Sequence, residues 1–364
     1  MAQFGKFSVR SFDWILLASA LLLTALGLSA VYSIDLSRGG ELLFFKKQIW
    51  ALGAGLVVFW VASMMQASFF RSAAKSFYAV SLVSLLAVLF FGTNVRGTTG
   101  WFVVGGFSFQ PAELAKAAVI IMLGYIVANF GRRFERPLFF YGTAGIVSLP
   151  VLLIFFQPDL GSALLIISIW LGVMLLVGAR WTHLLVLALS AVALVAFSWF
   201  FLFQDYQKDR LLTFVNPTSD PLGAGYNVNQ SLIAVGAGKW WGRGLGFGSQ
   251  SQLRFLPEAQ TDFVFSVIGE ELGFAGVVIL LLLFSAVCWR LLRLAQNTDS
   301  DFSSVVASGI AILFFVQFVV NVGAGLGVLP VTGVTLPFVS YGGSSLLINF
   351  FLLGVAQSLI TRKY

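Results

Sequence analysis

Charge is scarce in this chain. Only 10% of its 364 residues are Asp, Glu, Lys or Arg, whereas a soluble domain carries about 25%. That is too little polar surface to cover a water-soluble globule. The two or three soluble domains that length alone would permit are therefore excluded. One cysteine, Cys288, and one histidine, His183, leave no disulfide framework and no recognisable zinc ligand set. No Walker-type loop and no Ser-His-Asp pattern is present. No small-residue cleavage site followed by a soluble domain is seen after the first apolar run. Residues 12–34 therefore read as a permanent helix and not a signal peptide. The net charge of +7 reads as the basic bias of cytoplasmic loops, not as a nucleic-acid surface.

What the chain has is apolar length, with 59% hydrophobic residues. A spanning helix needs roughly 20 mostly apolar residues, and lipid leaves helices as the only outlet for such runs. About ten candidates follow, near 12–34, 44–65, 75–92, 110–130, 137–156, 160–179, 182–203, 263–290, 303–328 and 343–361. The predicted fold is an all-α polytopic membrane protein, one transmembrane domain over residues 1–364. Arg71, Lys75, Arg132, Arg133, Arg136, Arg180, Arg290, Arg293, Arg362 and Lys363 fall on the side of the two termini. The positive-inside rule makes that side cytoplasmic. The stretch 204–262, between the seventh and eighth spans, is a long, polar, Gly-rich loop on the opposite, outer face. Loops of this length in a compact fold are commonly functional. Its middle, Tyr226 to Val235, suits a short interfacial helix.

Carboxylates at a membrane edge are costly and point to function. Asp262 stands at the start of the eighth span, with Glu258, Glu270 and Glu271 near it in sequence. Thr261 reads as the helix N-cap, which would put Asp262 in the first turn. There it either complements the helix dipole or acts as a general base toward a sugar hydroxyl. In Gln110–Lys116, Pro111 starts a helix and places Glu113 and Lys116 on one face, three residues apart. They form either a structural ion pair or a site where Lys116, partly free of Glu113, meets a phosphate. Arg96 and Trp101 lie just upstream, Trp101 doubling as an interfacial anchor. Asp159 reads as an N-cap and as a cavity residue. Gly242, Gly244, Gly246 and Gly248 faintly match a dinucleotide fingerprint, but no βαβ context supports it. Tight turns near the membrane surface explain them better. Pro330, Pro337, Gly342 and Gly343 mark an irregular outer segment that leads through Ser344 into the last span.

Five blocks carry a resemblance across nearly the whole chain: RGTTGWF with QPAELAK, QPDLGSALL, DPLGAGYNVNQSLIAVGAGKWWGRGLGFGSQSQLRFLPEAQTDF, EELGF and LPVTGVTLPFVSYGGSS. Together they resemble the SEDS family (shape, elongation, division and sporulation), and within it the RodA-type branch more than the FtsW-type. The resemblance implies a peptidoglycan glycosyltransferase of elongation that joins lipid II to a lipid-linked glycan. It makes Asp262 the base for an inverting displacement. Undecaprenyl diphosphate then leaves against cations such as Lys116, Arg96 or Arg210. Glu113, Trp101, Asp159, Glu258 and Ser344 are the remaining candidate substrate contacts. No cofactor is required on this reading, although Mg2+ or Mn2+ at the diphosphate is compatible with it. The implied partner is a class B penicillin-binding protein, with other elongation-complex proteins. A lipid II flippase, a division-type polymerase and a scaffold are the competing readings.

Overall fold

The computed structural model describes residues 12–39, 41–95, 97–130, 136–201 and 224–360. Arg96 and Arg210, two of the expected diphosphate-binding cations, lie outside that set. In chain order the elements are α1 (Trp14–Leu36), α2 (Leu43–Met64), α3 (Ala67–Phe91), β1 (Thr93–Val95), β2 (Thr98–Val104), β3 (Phe107–Phe109), α4 (Pro111–Phe130), α5 (Pro137–Phe155), α6 (Leu160–Val177) and α7 (Trp181–Phe201). There follow α8 (Ala224–Ala237), α9 (Ser249–Gln252), α10 (Val264–Gln296), α11 (Asp301–Gly325) and α12 (Gly343–Ile360). Among the described residues nine helices are long and apolar enough to cross a membrane. The remaining long helix, α7, occupies the expected span at 182–203.

Two boundaries differ from the hydropathy reading. Helix α3 begins at Ala67, two turns before the expected 75. Arg71 and Lys75 end the apolar run without breaking the helix; Lys75 lies over the Tyr125 ring. Helix α10 runs on to Gln296 for the same reason, and Arg293 stacks on Trp289. Asp13 caps α1 through the Leu16 amide and pairs with Arg290 of α10 at 2.6 Å, joining the first and eighth spans at the end of the bundle where the chain enters.

Lipid is as apolar as leucine, so packing and polar links hold such helices together more than hydrophobic burial does. Phe59, Phe70, Phe314, Phe338 and Phe350 fill a shared core of α1–α6 and α10–α12. The expected outer loop at 92–110 is instead a three-stranded antiparallel sheet, ordered β1-β2-β3. Val104 pairs with Phe107 across Gly105 and Gly106, both at positive φ. That turn suits the right-handed twist of the strands.

Helix α10 is two helices in series. Gly273 breaks it at φ 66 and ψ −164. Residues 274–296 alone supply about 34 Å, enough to cross a core of roughly 30 Å. Residues 264–272 do not extend that span outward. Ser231 Oγ bonds both Ser266 Oγ and the Gly325 carbonyl, so this segment folds over the end of α11. Helix α8, where an interfacial helix was expected, packs against it.

Gly242 sits against the break at φ 80, and a Cβ there would run into the Glu271 carbonyl oxygen. Gly242→Ala is therefore expected to cost about 2–4 kcal/mol, through strain and a backbone clash. Gly53→Ala is the control, because a Cβ at Gly53 would meet nothing within 4 Å. Melting of both purified proteins should show a large drop in Tm for the first and little change for the second.

Candidate active site

Asp262 lies in a turn, not in a helix. The Thr261 and Asp262 amides both donate to the Glu258 carbonyl, at 3.0 and 3.1 Å. Glu258 itself adopts a left-handed φ of 52. The expected capping by Thr261 is not found. The N-cap of α10 is Phe263, and no side chain caps this helix. Thr261 Oγ1 donates instead to the Glu258 carbonyl. Asp262 thus stands just ahead of the helix.

Three other elements hold this turn. Asn321 of α11 donates through Nδ2 to the Asp262 carbonyl at 3.2 Å and the Val334 carbonyl at 2.8 Å. Ser340 Oγ donates to the Thr261 carbonyl at 2.7 Å, and the Tyr341 amide donates to the Gln260 carbonyl at 2.8 Å. Gln48 of α2 donates to the Ser340 carbonyl and accepts from the Gly342 amide. The irregular segment between α11 and α12 is therefore zipped along the backbone leading to Asp262. Burial, reinforced by the negative charge of Asp35, pushes the Tyr341 phenol above its ordinary range, so Tyr341 remains neutral at physiological pH.

Asp262 lines a shallow, narrow crevice with Val320, Asn321, Ala324 and residues 331–334. Among the described residues Asp262 is its only carboxylate. Asn321 Oδ1 and Thr332 Oγ1 are buried there without a partner among the described residues. Sequence reasoning misses Asn321. The available signal is an amide pair, Gln317 and Asn321, one turn apart in an apolar run, where such groups are costly unless used.

Apart from Glu258, the remaining described candidates gather elsewhere at the same end of the bundle. Asp159 caps α6 as expected, accepting from the Ser162 amide at 3.0 Å. Its second oxygen accepts from Gln110 Nε2 at 2.9 Å, and the Gln110 amide donates to Ser344 Oγ at 3.3 Å. Gln110 thus ties together the N-termini of α4, α6 and α12. One turn further into α4, Lys116 Nζ lies 2.7 Å from Glu113 Oε2, with the lysine side chain only 2% exposed. Of the two readings of this pair, the structure shows the closed and buried ion pair. Trp101 is half-buried on β2, its carbonyl accepting from Thr93 Oγ1. Glu258 contributes its carbonyl to the Asp262 turn and a carboxylate oxygen to Gln260 Nε2 at 3.1 Å. Glu270 and Glu271, close to Asp262 in sequence, do not line its crevice; both are buried and accept hydrogen bonds from the 249–251 chain.

The family described as cell cycle protein, FtsW/RodA/SpoVE, matches residues 13–364. The peptidoglycan glycosyltransferase MrdB of Escherichia coli K12 is 38% identical over 346 residues, which cover 94% of this chain and 92% of that protein. A chain from a structure reporting coordination of polymerization and crosslinking by a peptidoglycan synthase complex superposes with a TM-score of 0.81 at 33% identity. That match covers 95% of this chain and 96% of the other. The crystal structure of the rod shape determining protein RodA of Thermus thermophilus gives 0.72 at 31% identity, with the same coverage.

Proposed function

The chain belongs to the FtsW/RodA/SpoVE family, the SEDS proteins, and on that premise we propose that Asp262 is the general base of its glycosyl transfer. The protein is a RodA-like, multi-pass membrane peptidoglycan glycosyltransferase that polymerises lipid II. The observation that carries the assignment of Asp262 is its place as the one carboxylate, among the described residues, of a crevice whose walls are pinned by Asn321, Ser340 and Tyr341.

The chemistry needs one base. Asp262 takes the proton of the GlcNAc 4-hydroxyl of lipid II. That oxygen attacks the anomeric carbon of the donor MurNAc from the face opposite the leaving group. The bond to undecaprenyl diphosphate breaks, and the diphosphate leaves with the electron pair, inverting the carbon. Glycosidases use two carboxylates because their leaving group needs a proton. A diphosphate leaves as an anion and needs only charge stabilisation. Lys116, Arg96 and Arg210 remain the candidates for that stabilisation. Lys116 would serve only if substrate separates it from Glu113. Among the described residues no three His, Cys, Asp or Glu side chains converge. Mg2+ or Mn2+ at the diphosphate needs only one or two carboxylates beside the substrate phosphates, and bound there it would supply charge stabilisation for the leaving group.

The protein works with a crosslinking partner, a class B penicillin-binding protein, as polymerisation and crosslinking are coordinated in the related synthase complex. We place it in the bacterial inner membrane with both termini cytoplasmic and Asp262 outside, on the strength of the basic residues at the ends of the spans. In a Cys288→Ser background, a cysteine at exposed Asn94 should react with an impermeant maleimide added to whole cells, and one at exposed Asp299 should not. The opposite pattern would invert the topology and move the site to the cytoplasmic face.

A further inference from the structure

We infer that Glu270 is a positioning residue for Asp262. Its carboxylate clamps the strap 238–252 onto the break in α10 and so fixes the chain that enters the Asp262 turn. The inference rests on Asp262 being the base.

The break at Gly273 strips backbone groups of their helical partners, and such groups must be satisfied elsewhere. The strap supplies them. The Phe274 and Ala275 amides donate to the Lys239 and Trp240 carbonyls at 2.8 and 3.1 Å. The Arg243 and Gly244 amides donate to the Glu270 and Glu271 carbonyls at 3.0 and 2.9 Å. The glycine run thus serves a close backbone approach.

The side chains then extend the clamp. Glu270, fully buried, accepts from the Gln250 amide at 2.9 Å, the Ser251 amide at 3.2 Å and Ser249 Oγ at 3.3 Å. Ser249 in turn accepts from Arg243 at 3.1 Å. Glu271 accepts from Ser33 Oγ of α1 at 2.5 Å and from Ser251 Oγ at 3.0 Å, and its second oxygen has no partner among the described residues. Ser33 also accepts from the Gly246 amide and from Gln252 Nε2. Among the described residues no cation pairs with either carboxylate. Two neighbouring buried carboxylates without a cation are an expensive way to gain stability alone, since an apolar pair would do as well or better.

What they achieve is a closed loop. Residues 250–251 are bonded to Glu270, and the chain between them contains the Glu258–Asp262 turn. Asp262 therefore has both flanking segments anchored at one carboxylate. A reacting group misplaced by about 1 Å can cost ~100-fold in rate.

Glu270→Gln keeps the size but offers one acceptor oxygen and turns an NH2 toward amide donors. The full-length protein, purified with its partner transpeptidase, should be assayed on lipid II beside wild type and Asp262→Asn. The expected result is a kcat per folded molecule at least ~10-fold lower, with KM within about two-fold, because misplacing the base hurts the transition state and not binding. A purely structural role would lower the folded fraction and leave kcat per folded molecule intact; that result overturns the inference. If Glu270→Gln is not recovered folded, Ser249→Ala with Ser251→Ala removes hydroxyl donors to Glu270 and Glu271 and is judged by the same split. Full activity of Asp262→Asn would instead overturn the base assignment. Loss in Asp262→Asn with kcat retained in Glu270→Gln would overturn only the clamp.

Discussion

Replacing Glu113 with alanine is expected to destabilise the folded protein by about 3–5 kcal/mol, the usual cost of leaving one half of a buried ion pair uncompensated. Glu113 and Lys116 are 5% and 2% exposed and pair at 2.7 Å within one turn of α4. Lys116→Ala should show a similar loss, because it strands the carboxylate. Replacing both together, Glu113→Leu with Lys116→Met, removes the charges and retains much of the volume. Such double replacements are often neutral or stabilising. Melting of the three variants tests the stability claim. A fully stable Glu113→Ala protein would show that Lys116 already has another partner. Activity of the stable double variant then separates the roles. Polymerisation at the wild-type rate would remove Lys116 from substrate binding, whereas loss at unchanged Tm would assign it to the diphosphate.

Asp262→Asn is expected to lower glycan polymerisation by roughly 10²–10⁴-fold, the usual contribution of a positioned general base, while the protein folds and stays in the membrane. Asparagine preserves shape and the backbone bonds to Glu258 and Asn321, since those use the Asp262 amide and carbonyl. The carboxylate that would accept the proton is lost. Were Asp262 only a complement to the dipole of α10, the cost would be about 0.3–1 kcal/mol of stability and no specific loss of rate. Loss of lipid II translocation with polymerisation intact would favour a flippase.

The spans are legible in the sequence because lipid allows long apolar runs one outcome. Their ends are less so: hydropathy stops at Arg71 and Arg290, but the backbone hydrogen bonds do not. The hairpin 93–109 escapes a hydropathy reading, which sees only a loop between spans. Gly105-Gly106 between apolar and aromatic residues is nonetheless a strong turn signal. Asp262 stands out by residue type and place, whereas its crevice does not. Val331 to Val334 reach it from 70 residues away, and only the fold joins them. Thr261 reads as a cap only while the N-terminal part of α10 is taken as the continuation of a straight span. Nearness in sequence groups Glu270 and Glu271 with Asp262, yet two helical turns carry them to the strap. The same helix that separates them from the crevice makes Glu270 a clamp.

The central claim, that this chain polymerises lipid II with Asp262 as base, is tested most directly with purified components. Wild-type protein and Asp262→Asn, each with a partner whose transpeptidase nucleophile is removed, should be given lipid II alone and the products separated by length. Glycan strands from the wild type and none from Asp262→Asn is the expected result. No polymer from the folded wild-type complex, or equal polymer from both proteins, would contradict it.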